Sequence, residues 1–302
     1  MSHVTVIGSS NTDMVVKTLR FPNPGETVLG GDFFVFPGGK GANQAVASVR
    51  FGAEVHFVCA IGDDNFGKEA IAGYETEGIR TEAIITVPKT ASGIALITVN
   101  QDGENEIVVA PGANAALTPN LISPNLSVLL RSDILLTQLE IPMQSILFLS
   151  EFSRNHNKRL ILNPAPAQPL DKHILQGLFA LTPNQTEAGI LTGIIVNSIA
   201  TAKSAAEILI HRGVKNVIIT LGEGGAYYMG EDGEFHLNAP KVKAVDTTAA
   251  GDVFNGILAA SLAEGLNWRE SLTLSNAAAA LSVTRMGAQS SAPYRHEIQF
   301  KS

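Results

Sequence analysis

One segment decides how this chain folds and what it can bind: Val245-Asp246-Thr247-Thr248-Ala249-Ala250-Gly251-Asp252-Val253-Phe254-Asn255-Gly256-Ile257. Its polar residues give way to small ones and then to an apolar helical pattern. Small side chains at a helix start let an anion approach free backbone N–H groups, and the helix dipole also favours negative charge there. The carboxylate of Asp252 would repel such an anion, so its presence there needs another explanation. We interpret Asp252 as a proton acceptor. A capping carboxylate is the simpler alternative for an isolated Gly-Asp pair.

Helical patterns, glycines and apolar runs succeed one another along the chain. The helical pattern 41–51 precedes Gly52, and the same order recurs at Gly78 and Gly213. Glycine just past a helix adopts the left-handed cap without steric cost. Continuous apolar runs, which fit strands covered on both faces, lie at 4–8, 55–61, 134–139, 160–163, 178–182 and 217–221. We therefore predict an α/β fold, a doubly wound and mainly parallel sheet sandwiched by helices.

Two segments, 14–36 and 92–110, interrupt this rhythm with alternating β-type residues and no helix. Within the second, Gln101-Asp102-Gly103 separates two such stretches, and Asp-Gly is a strong hairpin signal. We predict that both segments form a small β-sheet lid inserted in the α/β domain. That domain then comprises residues 1–13, 37–91 and 111–302. Edge strands of the main sheet are the alternative.

Charge and cysteine content argue against several classes of function. A net charge of −7 without a cluster of Lys and Arg disfavours nucleic-acid binding. Cys59, the single cysteine, lies in an apolar run, where burial makes a thiol a poor nucleophile. The histidines lack zinc-site spacing, and no apolar run has the length of a membrane span. Since the N-terminus is also unlike a leader, we expect a soluble, cytoplasmic protein without nucleic-acid or membrane partners.

Polar residues follow several predicted strands, at the end where open α/β sheets bind ligands. Asn11 and Asp13 come after the first strand and suit vicinal hydroxyl groups. Residues 37–44 then open a helix, but their spacing differs from that of a nucleoside-triphosphate P-loop. A dinucleotide fold is disfavoured, because one glycine follows the first strand where three are needed. Further polar or glycine-rich junctions occur at Glu140, 182–187 and 220–226.

Six motifs occur in order along the chain: Gly8-x-x-Asn11-x-Asp13, Pro24-Gly25-Glu26-Thr27, Gly38-Gly39-Lys40-Gly41-Ala42-Asn43-Gln44-Ala45, Asn163-Pro164-Ala165-Pro166, Thr182-Pro183-Asn184-x-x-Glu187 and Asp246-Thr247-x-Ala249-Ala250-Gly251-Asp252. Together they resemble the ribokinases, within the phosphofructokinase-B type sugar kinases. The resemblance covers about residues 3 to 295, and the combination is highly specific although each piece alone is not.

The resemblance implies ATP-dependent phosphorylation of D-ribose at its 5-hydroxyl group, with Mg²⁺ and a monovalent cation, usually K⁺. It also implies a homodimer formed through the β lid. Asp252 would accept the hydroxyl proton. The backbone amides that would hold the transferred phosphoryl group are those of Ala249, Ala250, Gly251 and Asp252.

The resemblance also implies three sets of binding residues. The sugar contacts would be Asn11, Asp13, Gly39, Lys40, Gly41, Ala42, Asn43, Glu140 and Asp252. The nucleotide contacts would be Asn184, Glu187 (near the Mg²⁺–phosphate waters), Thr220, Leu221, Gly222, Glu223, Gly224, Gly225, Gly251, Asp252 and Asn276. The monovalent cation would be held by oxygens of Asp246, Thr248, Ser282, Arg285, Gly287 and Ser291, several of them backbone carbonyls.

The sequence departs from the family pattern at two positions. Ala249 stands where the wider family has glycine, and its methyl group could restrict how closely phosphate approaches. Asn276 stands where certain relatives have histidine beside the adenine. A kinase for 2-deoxyribose, a nucleoside or another sugar stays open, and so does a sugar-binding protein that has lost catalysis. The intact Gly251 and Asp252 argue against the last, although a fold alone never proves activity.

Overall fold

The computed structural model describes residues 2–298, and strands and helices alternate over most of that length. The strands are β1 (His3–Ile7), β2 (Asn11–Lys17), β3 (Phe33–Gly38), β4 (Glu54–Val58), β5 (Ala60–Gly62), β6 (Ile85–Val87), β7 (Gly93–Val99), β8 (Asn105–Ala110), β9 (Ile134–Thr137), β10 (Arg159–Leu162), β11 (Ala180–Leu181), β12 (Asn216–Thr220), β13 (Ala226–Gly230) and β14 (Gly233–Leu237). The α-helices are α1 (Lys40–Phe51), α2 (Asn65–Glu77), α3 (Pro119–Ile122), α4 (Leu126–Arg131), α5 (Met143–Asn155), α6 (Lys172–Leu175), α7 (Gln185–Thr192), α8 (Ile199–His211), α9 (Ala250–Glu264) and α10 (Trp268–Ser282).

A large mixed sheet forms the centre of the fold, with the strand order β14-β13-β12-β11-β10-β9-β1-β4. The strands from β4 to β12 in this order are parallel, and β13 and β14 complete the sheet as antiparallel strands. Parallel neighbours need long crossover connections, which the helices supply. The predicted α/β class, with a mainly parallel sheet between helices, is confirmed.

Helices cover both faces of this sheet, so neighbouring residues of one strand enter different cores. In β9, Ile134 and Leu136 pack into the core that contains residues of α1, α9 and α10. Leu135, between them, packs into the core that contains residues of α5 and α8. Burial on both faces explains why these strands appear in the sequence as continuous apolar runs.

The parallel strands end level with one another. Thr137 of β9 pairs with Ile7 of β1 on one side and with Leu162 of β10 on the other. Leu162 pairs in turn with Leu181 of β11. The polar segments that follow these strands therefore meet at one edge of the sheet, as the sequence analysis expected.

Strands β3, β2, β7 and β8 form a second, smaller sheet in that order. Strands β7 and β8 are an antiparallel pair joined through Gly103, as the Asp-Gly signal predicted. Strand β2 begins three residues before the predicted lid segment, because Asn11 pairs with both Gly38 and Gly93. Asn11 and Asp13 therefore belong to the small sheet. The action of this sheet as a lid stays a prediction.

Most predicted element ends agree with the structure, and one predicted strand is divided. Gly52 and Gly78 have φ of 112° and 83° at the ends of α1 and α2. The run 55–61 forms two strands, because β4 pairs with β1 while β5 pairs with β6 in a separate sheet. Cys59, between them, is fully buried. Among residues 2–298, no helix combines the length and apolarity needed to cross a bilayer.

The loop after β1 and the start of α1 approach each other at backbone distance. A Cβ atom on Gly41 would lie 2.5 Å from the Ser9 nitrogen and 2.7 Å from the Gly8 carbonyl carbon. The Ala42 amide donates to the Ser9 carbonyl oxygen at 2.9 Å. Gly39, just before the helix, has φ of 90°, a conformation that favours glycine. These contacts hold the start of α1 over the end of β1.

We expect Gly41→Ala to lower the free energy of unfolding by about 1–3 kcal/mol, because the added methyl group meets backbone atoms that cannot turn aside. Gly73→Ala is the matched control, since Gly73 also lies in a helix and nothing lies within 4 Å of its added Cβ atom. There we expect unchanged or slightly higher stability. Denaturant unfolding measures both variants, and equal stabilities would contradict this packing.

Candidate active site

Helix α9 begins at Ala250 without a side-chain cap. The Ala250 amide donates to the Thr247 carbonyl oxygen at 3.3 Å, and the Val253 amide donates to the Ala249 carbonyl oxygen at 2.9 Å. Between them, the amides of Gly251 and Asp252 find no acceptor in the part of the chain that the structure describes. This helix start therefore offers an anion two backbone donors and the positive end of a dipole.

Ala249, the residue before α9, has φ of 58° and ψ of 11°. This left-handed conformation costs a residue with a side chain about 1–2 kcal/mol. Alanine thus adopts here the backbone conformation that glycine adopts readily, and the departure from the family pattern leaves the turn into α9 intact.

The Asp252 carboxylate is held by two side-chain amides of α1. Asn43 Nδ2 donates to Asp252 Oδ2 at 2.9 Å, and Gln44 Nε2 donates to Asp252 Oδ1 at 3.0 Å. Only 5% of Asp252 is exposed. The two donors compensate the burial of the charge and fix the orientation of the carboxylate.

Asn43 has a second feature that points to a ligand. Its Oδ1 atom is buried and accepts no hydrogen bond from any residue in 2–298. A buried acceptor without a partner is costly. We therefore expect a donor from outside the chain to occupy the space next to Asn43 and Asp252.

Lys40, the first residue of α1, lies among four carboxylates. The charge of Asp252 raises the pKa of Lys40, and it outweighs the opposing effect of burial. The carboxylates of Glu140, Glu187 and Asp13 raise the pKa of Lys40 further. Lys40 therefore carries a fixed positive charge in the cleft.

The surroundings of Asp13 in β2 disfavour the ionised form of its carboxyl group. Burial and then the charges of Glu140 and Asp252 raise its pKa to about 6, although Lys40 opposes the shift. Its carboxylate occupies the space that a Cβ atom on Gly38 would need. Glycine at position 38 is therefore what lets this carboxylate lie against the chain.

Glu140 fixes the start of α1 from the neighbouring strand end. Ser9 Oγ donates to Glu140 Oε2 at 2.5 Å, and the Lys40 amide donates to the same oxygen at 3.0 Å. A carboxylate is favourable at a helix N-terminus. Glu140 thus joins the loop after β1 to the helix that carries Asn43.

Asn11 is oriented by Asn114, a residue that the sequence analysis did not identify. Asn114 Nδ2 donates to Asn11 Oδ1 at 2.7 Å, while Asn114 Oδ1 accepts the Ser10 amide at 2.9 Å. A side chain on Gly93 would collide with both asparagines. Asn114 thus joins the segments that lead into and out of the small sheet.

Asn184 and Glu187 form a capping box at the start of α7. The Glu187 amide donates to Asn184 Oδ1, and the Asn184 amide donates to Glu187 Oε2, both at 2.8 Å. Burial raises the pKa of Glu187, although the hydrogen bonds from Asn184 and the charge of Lys40 act in the opposite direction. Helix capping therefore explains the hydrogen bonds between Asn184 and Glu187 without a ligand.

The glycine-rich loop after β12 lies against the end of β14. The Leu221 amide donates to the Gly225 carbonyl oxygen at 2.8 Å and closes the loop. A Cβ atom on Gly225 would collide with the Leu237 carbonyl oxygen. Asn276 Nδ2 of α10 lies 3.5 Å from that same oxygen. The structure therefore brings Asn276 to the base of the predicted nucleotide loop.

Asp246 joins the segment before α9 to the chain after α10. Its carboxylate oxygens accept the amides of Thr248 and Gly287, each at 2.9 Å. Burial raises the pKa of Asp246, but these hydrogen bonds outweigh it and the net shift is downward. The Arg285 side chain pairs with Glu297. Because a guanidinium group is cationic and has no acceptor atom, Arg285 can offer a cation only its backbone carbonyl.

One cleft of about 190 Å³ collects polar groups from the starts of α1, α7 and α9 and from the ends of the neighbouring strands. Several predicted contacts do not line it, among them Asn11, Asp13, Asn43, Glu140 and Asn276. Ala42 packs in the core, and Gly41 packs against the loop after β1. The residues that line the cleft are Lys40, Asn163, Thr182, Asn184, Glu187, Thr220, Thr247, Ala249, Ala250, Gly251, Asp252 and Asn255.

Several buried polar residues of the site were not assigned a role from the sequence. Three of them, Gln44, Asn163 and Thr182, lie in the motifs quoted from the sequence. The motifs identified these residues but did not indicate which groups they contact. Gln138 follows β9 and Asn255 lies in the deciding segment. The available signal was an amide or hydroxyl side chain within an otherwise apolar element, where burial requires a partner.

A model of one family, described as pfkB family carbohydrate kinase, matches residues 1–295. A ribokinase of Haemophilus influenzae is 41% identical over 294 residues, which cover 97% of this chain and 96% of that protein. A deoxyribokinase of Salmonella typhi is 38% identical over 291 residues, 96% of this chain and 95% of that protein. The structure of Arabidopsis thaliana ribokinase complexed with ribose and ATP is similar with a TM-score of 0.92, at 30% identity, over 98% of this chain and 97% of the other.

The raised pKa of Asp13 has a consequence for stability. Because the folded pKa of about 6 lies above the usual 3.8, the folded state loses stability as pH rises from about 4 to about 6. We expect Asp13→Asn to be more stable than the parent by about 3 kcal/mol at pH 7.5, with no difference near pH 4. Denaturant unfolding across pH measures this difference.

Asp102→Asn, in the exposed hairpin turn, is the control for Asp13→Asn and should follow the parent at every pH. A stability of Asp13→Asn that stays at or below that of the parent at pH 7.5 would contradict the assignment.

Proposed function

This chain belongs to the pfkB family of carbohydrate kinases, and on that premise we propose that it transfers a phosphoryl group from ATP to the 5-hydroxyl group of D-ribose. The observation that carries the proposal is the position of Asp252 at the uncapped start of α9. A proton acceptor and two free backbone donors lie there within one helical turn. The similarity to ribokinases, one of them solved with ribose and ATP, supports the choice of substrates.

Asp252 is proposed to accept the proton of the sugar hydroxyl. The new bond joins the hydroxyl oxygen to phosphorus, and the bond between phosphorus and the bridging oxygen of ADP breaks. The amides of Gly251 and Asp252, with that of Ala249 beside them, would hold the charged equatorial oxygens. The predicted contact from the Ala250 amide is the exception, because this amide already donates to the Thr247 carbonyl oxygen. Phosphoryl transfer depends mainly on positioning and fixed dipoles, and the start of α9 supplies both.

The sugar is proposed to bind between the small sheet and the start of α1. Asn11, Asp13 and Glu140 offer oxygen acceptors to hydroxyl groups, and Lys40 offers a donor. Asn43 Oδ1 supports this placement most directly, because it is a buried acceptor in need of a donor. Gly39 packs its backbone against Ser10 and Asn11, where an added Cβ atom would lie 2.7 Å from the Asn11 nitrogen.

The nucleotide is proposed to lie along the loop 220–225, with Asn184 and Asn276 at its sides. Gly222 and Gly251 leave open space where a side chain would stand, which suits close approach of a phosphate chain. No group of three or more metal-ligating side chains occurs within residues 2–298. That fits Mg²⁺, which keeps several waters and binds through phosphates and few carboxylates. Glu187 is the carboxylate proposed to face its water shell.

A monovalent cation, K⁺ by preference, is proposed to bind between Asp246 and the chain after α10. Hard oxygen donors suit such an ion, and the lowered pKa of Asp246 keeps its charge in place. The proposed ligands are oxygens of Asp246, Thr248, Ser282, Arg285, Gly287 and Ser291. Because Asp246 lies four residues before α9, the ion would stiffen the turn that presents the anion site.

The small sheet is proposed to close over the sugar and to contact a second copy of the chain. Its apolar side chains are exposed to an extent unusual for a monomer: Phe33 61%, Ile107 52% and Val108 67%. Phe34 and Phe36 stack at 5.7 Å on the same sheet. A homodimer would cover these residues.

A kinase for 2-deoxyribose is the second candidate, favoured by the similarity to a deoxyribokinase. ATP consumption with ribose and with 2-deoxyribose, each with K⁺ or Na⁺, distinguishes the two. We expect kcat/KM to be at least 100-fold higher for ribose, because a site built to bind a hydroxyl leaves polar groups unpaired when it is missing. A preference for 2-deoxyribose would overturn the choice of sugar. Absence of turnover with any sugar would favour a binding protein.

We expect Asp252→Asn to lower kcat by about 10²–10⁴-fold with a modest change in the KM for ribose, because it removes the proton acceptor and keeps the shape. Steady-state kinetics measure both constants. The control is Asp232→Asn in the β13–β14 turn, where a similar carboxylate lies outside the cleft lining and kcat should not change. Near-normal turnover in Asp252→Asn would refute the role of Asp252.

A further inference from the structure

Gln44 makes three hydrogen bonds although it is wholly buried in α1. Its Nε2 group donates to Asp252 Oδ1 at 3.0 Å and to Asn163 Oδ1 at 3.1 Å, and its Oε1 atom accepts from Gln138 Nε2 at 2.6 Å. Every donor and the acceptor of this amide are therefore used. Such a side chain cannot rotate without losing bonds that the surrounding core cannot replace.

Gln138 sets the direction of the Gln44 amide. Because Gln138 donates to the Gln44 oxygen, the Gln44 nitrogen is forced towards Asp252. Gln138 follows β9 directly, and its own Oε1 atom is a buried acceptor without a partner among residues 2–298. The direction of the Gln44 amide is therefore set by Gln138 and Asp252 together, one on each side. The reversed amide would place an oxygen against the carboxylate, which is repulsive.

The same network continues to the first turn of α9. Asn163 Nδ2 donates to the Thr182 carbonyl oxygen at 3.2 Å, and Thr182 Oγ1 donates to Asn255 Oδ1 at 2.6 Å. Asn255 Nδ2 donates in turn to the Gly251 carbonyl oxygen at 2.8 Å. The carboxylate of Asp252 and the backbone that carries the anion-binding amides are thus held by one buried chain of hydrogen bonds.

We propose that Gln44 is a positioning residue for the reaction: anchored by Gln138, it holds the Asp252 carboxylate in register with the α9 amides. The inference rests on the proposed function, since it assigns Asp252 the role of proton acceptor. Gln44 itself is fully buried and does not line the cleft. The position of the carboxylate matters for the rate, because a displacement of the proton acceptor by about 1 Å costs on the order of 10²-fold in rate.

The charged groups that face Asp252 come from several elements, and Gln44 is neutral among them. They are Lys40 of α1, Asp13 of β2 and Glu187 of α7, with Glu140 facing Lys40 from the end of β9. A neutral donor at position 44 adds no further negative charge beside Asp252. A glutamate there would share the site of Asp252, and two adjoining carboxyl groups resist ionising together.

The test compares kcat, the KM for ribose and the pH dependence of kcat in the parent protein and four variants, one of them a control. For Gln44→Leu we expect kcat to fall about 10- to 100-fold with KM within about threefold. For Gln44→Glu we expect the acidic limb of the kcat profile to move to higher pH by about one unit or more. For Gln138→Met, which leaves both neighbours of Asp252 in place, we expect a smaller fall in kcat and an unchanged profile. Gln176→Glu is the control, because Gln176 is exposed and lies outside the cleft lining, and its profile should match the parent.

A structural role alone would lower the amount of folded enzyme and leave the pH profile and the split between kcat and KM unchanged. An unshifted profile in folded Gln44→Glu would overturn the inference. If both Gln44 variants fail to fold, an unchanged kcat in Gln138→Met would overturn it equally. A parent protein without kinase activity would instead mean that the proposed function has failed.

Discussion

The active site depends on one buried contact, between the Asp252 carboxylate of α9 and the amide side chains of Asn43 and Gln44 in α1. It joins residues 209 positions apart in the chain. A charged group can be buried there only because two donors meet it, and they can meet it only because α1 begins directly over the end of β1. The close backbone approach at Gly41 and Ser9 makes that placement possible. Chemistry and packing therefore rest on the same crossing of two helices.

The site is also a place of electrostatic conflict. Asp13, Glu140, Glu187 and Asp252 all act on Lys40, and burial raises the pKa of Asp13 and Glu187. Such clustered carboxylates lower the stability of the protein without ligands. Hydroxyl donors and cations that enter the cleft would stabilise them. The left-handed conformation of Ala249 is a second cost at the same place. Strain and unbalanced charge concentrated at one site are typical of a functional site.

The sequence predicted the architecture well, because local patterns carry it. Runs such as 134–139 indicate strands covered on two faces, and Gly52 and Gly78 mark helix ends through their left-handed conformation. The division of the run 55–61 was not predictable, since β4 and β5 differ only in the strands that they pair with. The start of β2 at Asn11 was missed for the same reason.

Within the site, the sequence indicated which residues lie at the sheet edge but not which of them touch. Lys40, Asn184, Glu187 and Asp252 meet in one cleft as expected, whereas Ala42 lies in the core. The partners of Gln44 come from three distant segments, and no spacing rule connects them. Asn114 was invisible for the same reason, because its contacts with Ser10 and Asn11 exist only once the small sheet has formed.

The central claim is that the Asp252 carboxylate and the α9 amides meet at the same reacting centre. A crystal structure of the parent protein with ribose and a non-hydrolysable ATP analogue tests it most directly. We expect the sugar 5-oxygen to lie about 2.6–3.2 Å from a carboxylate oxygen of Asp252, with the terminal phosphate on the amides of Gly251 and Asp252. A sugar or phosphate bound elsewhere, with Asp252 facing neither, would contradict the account.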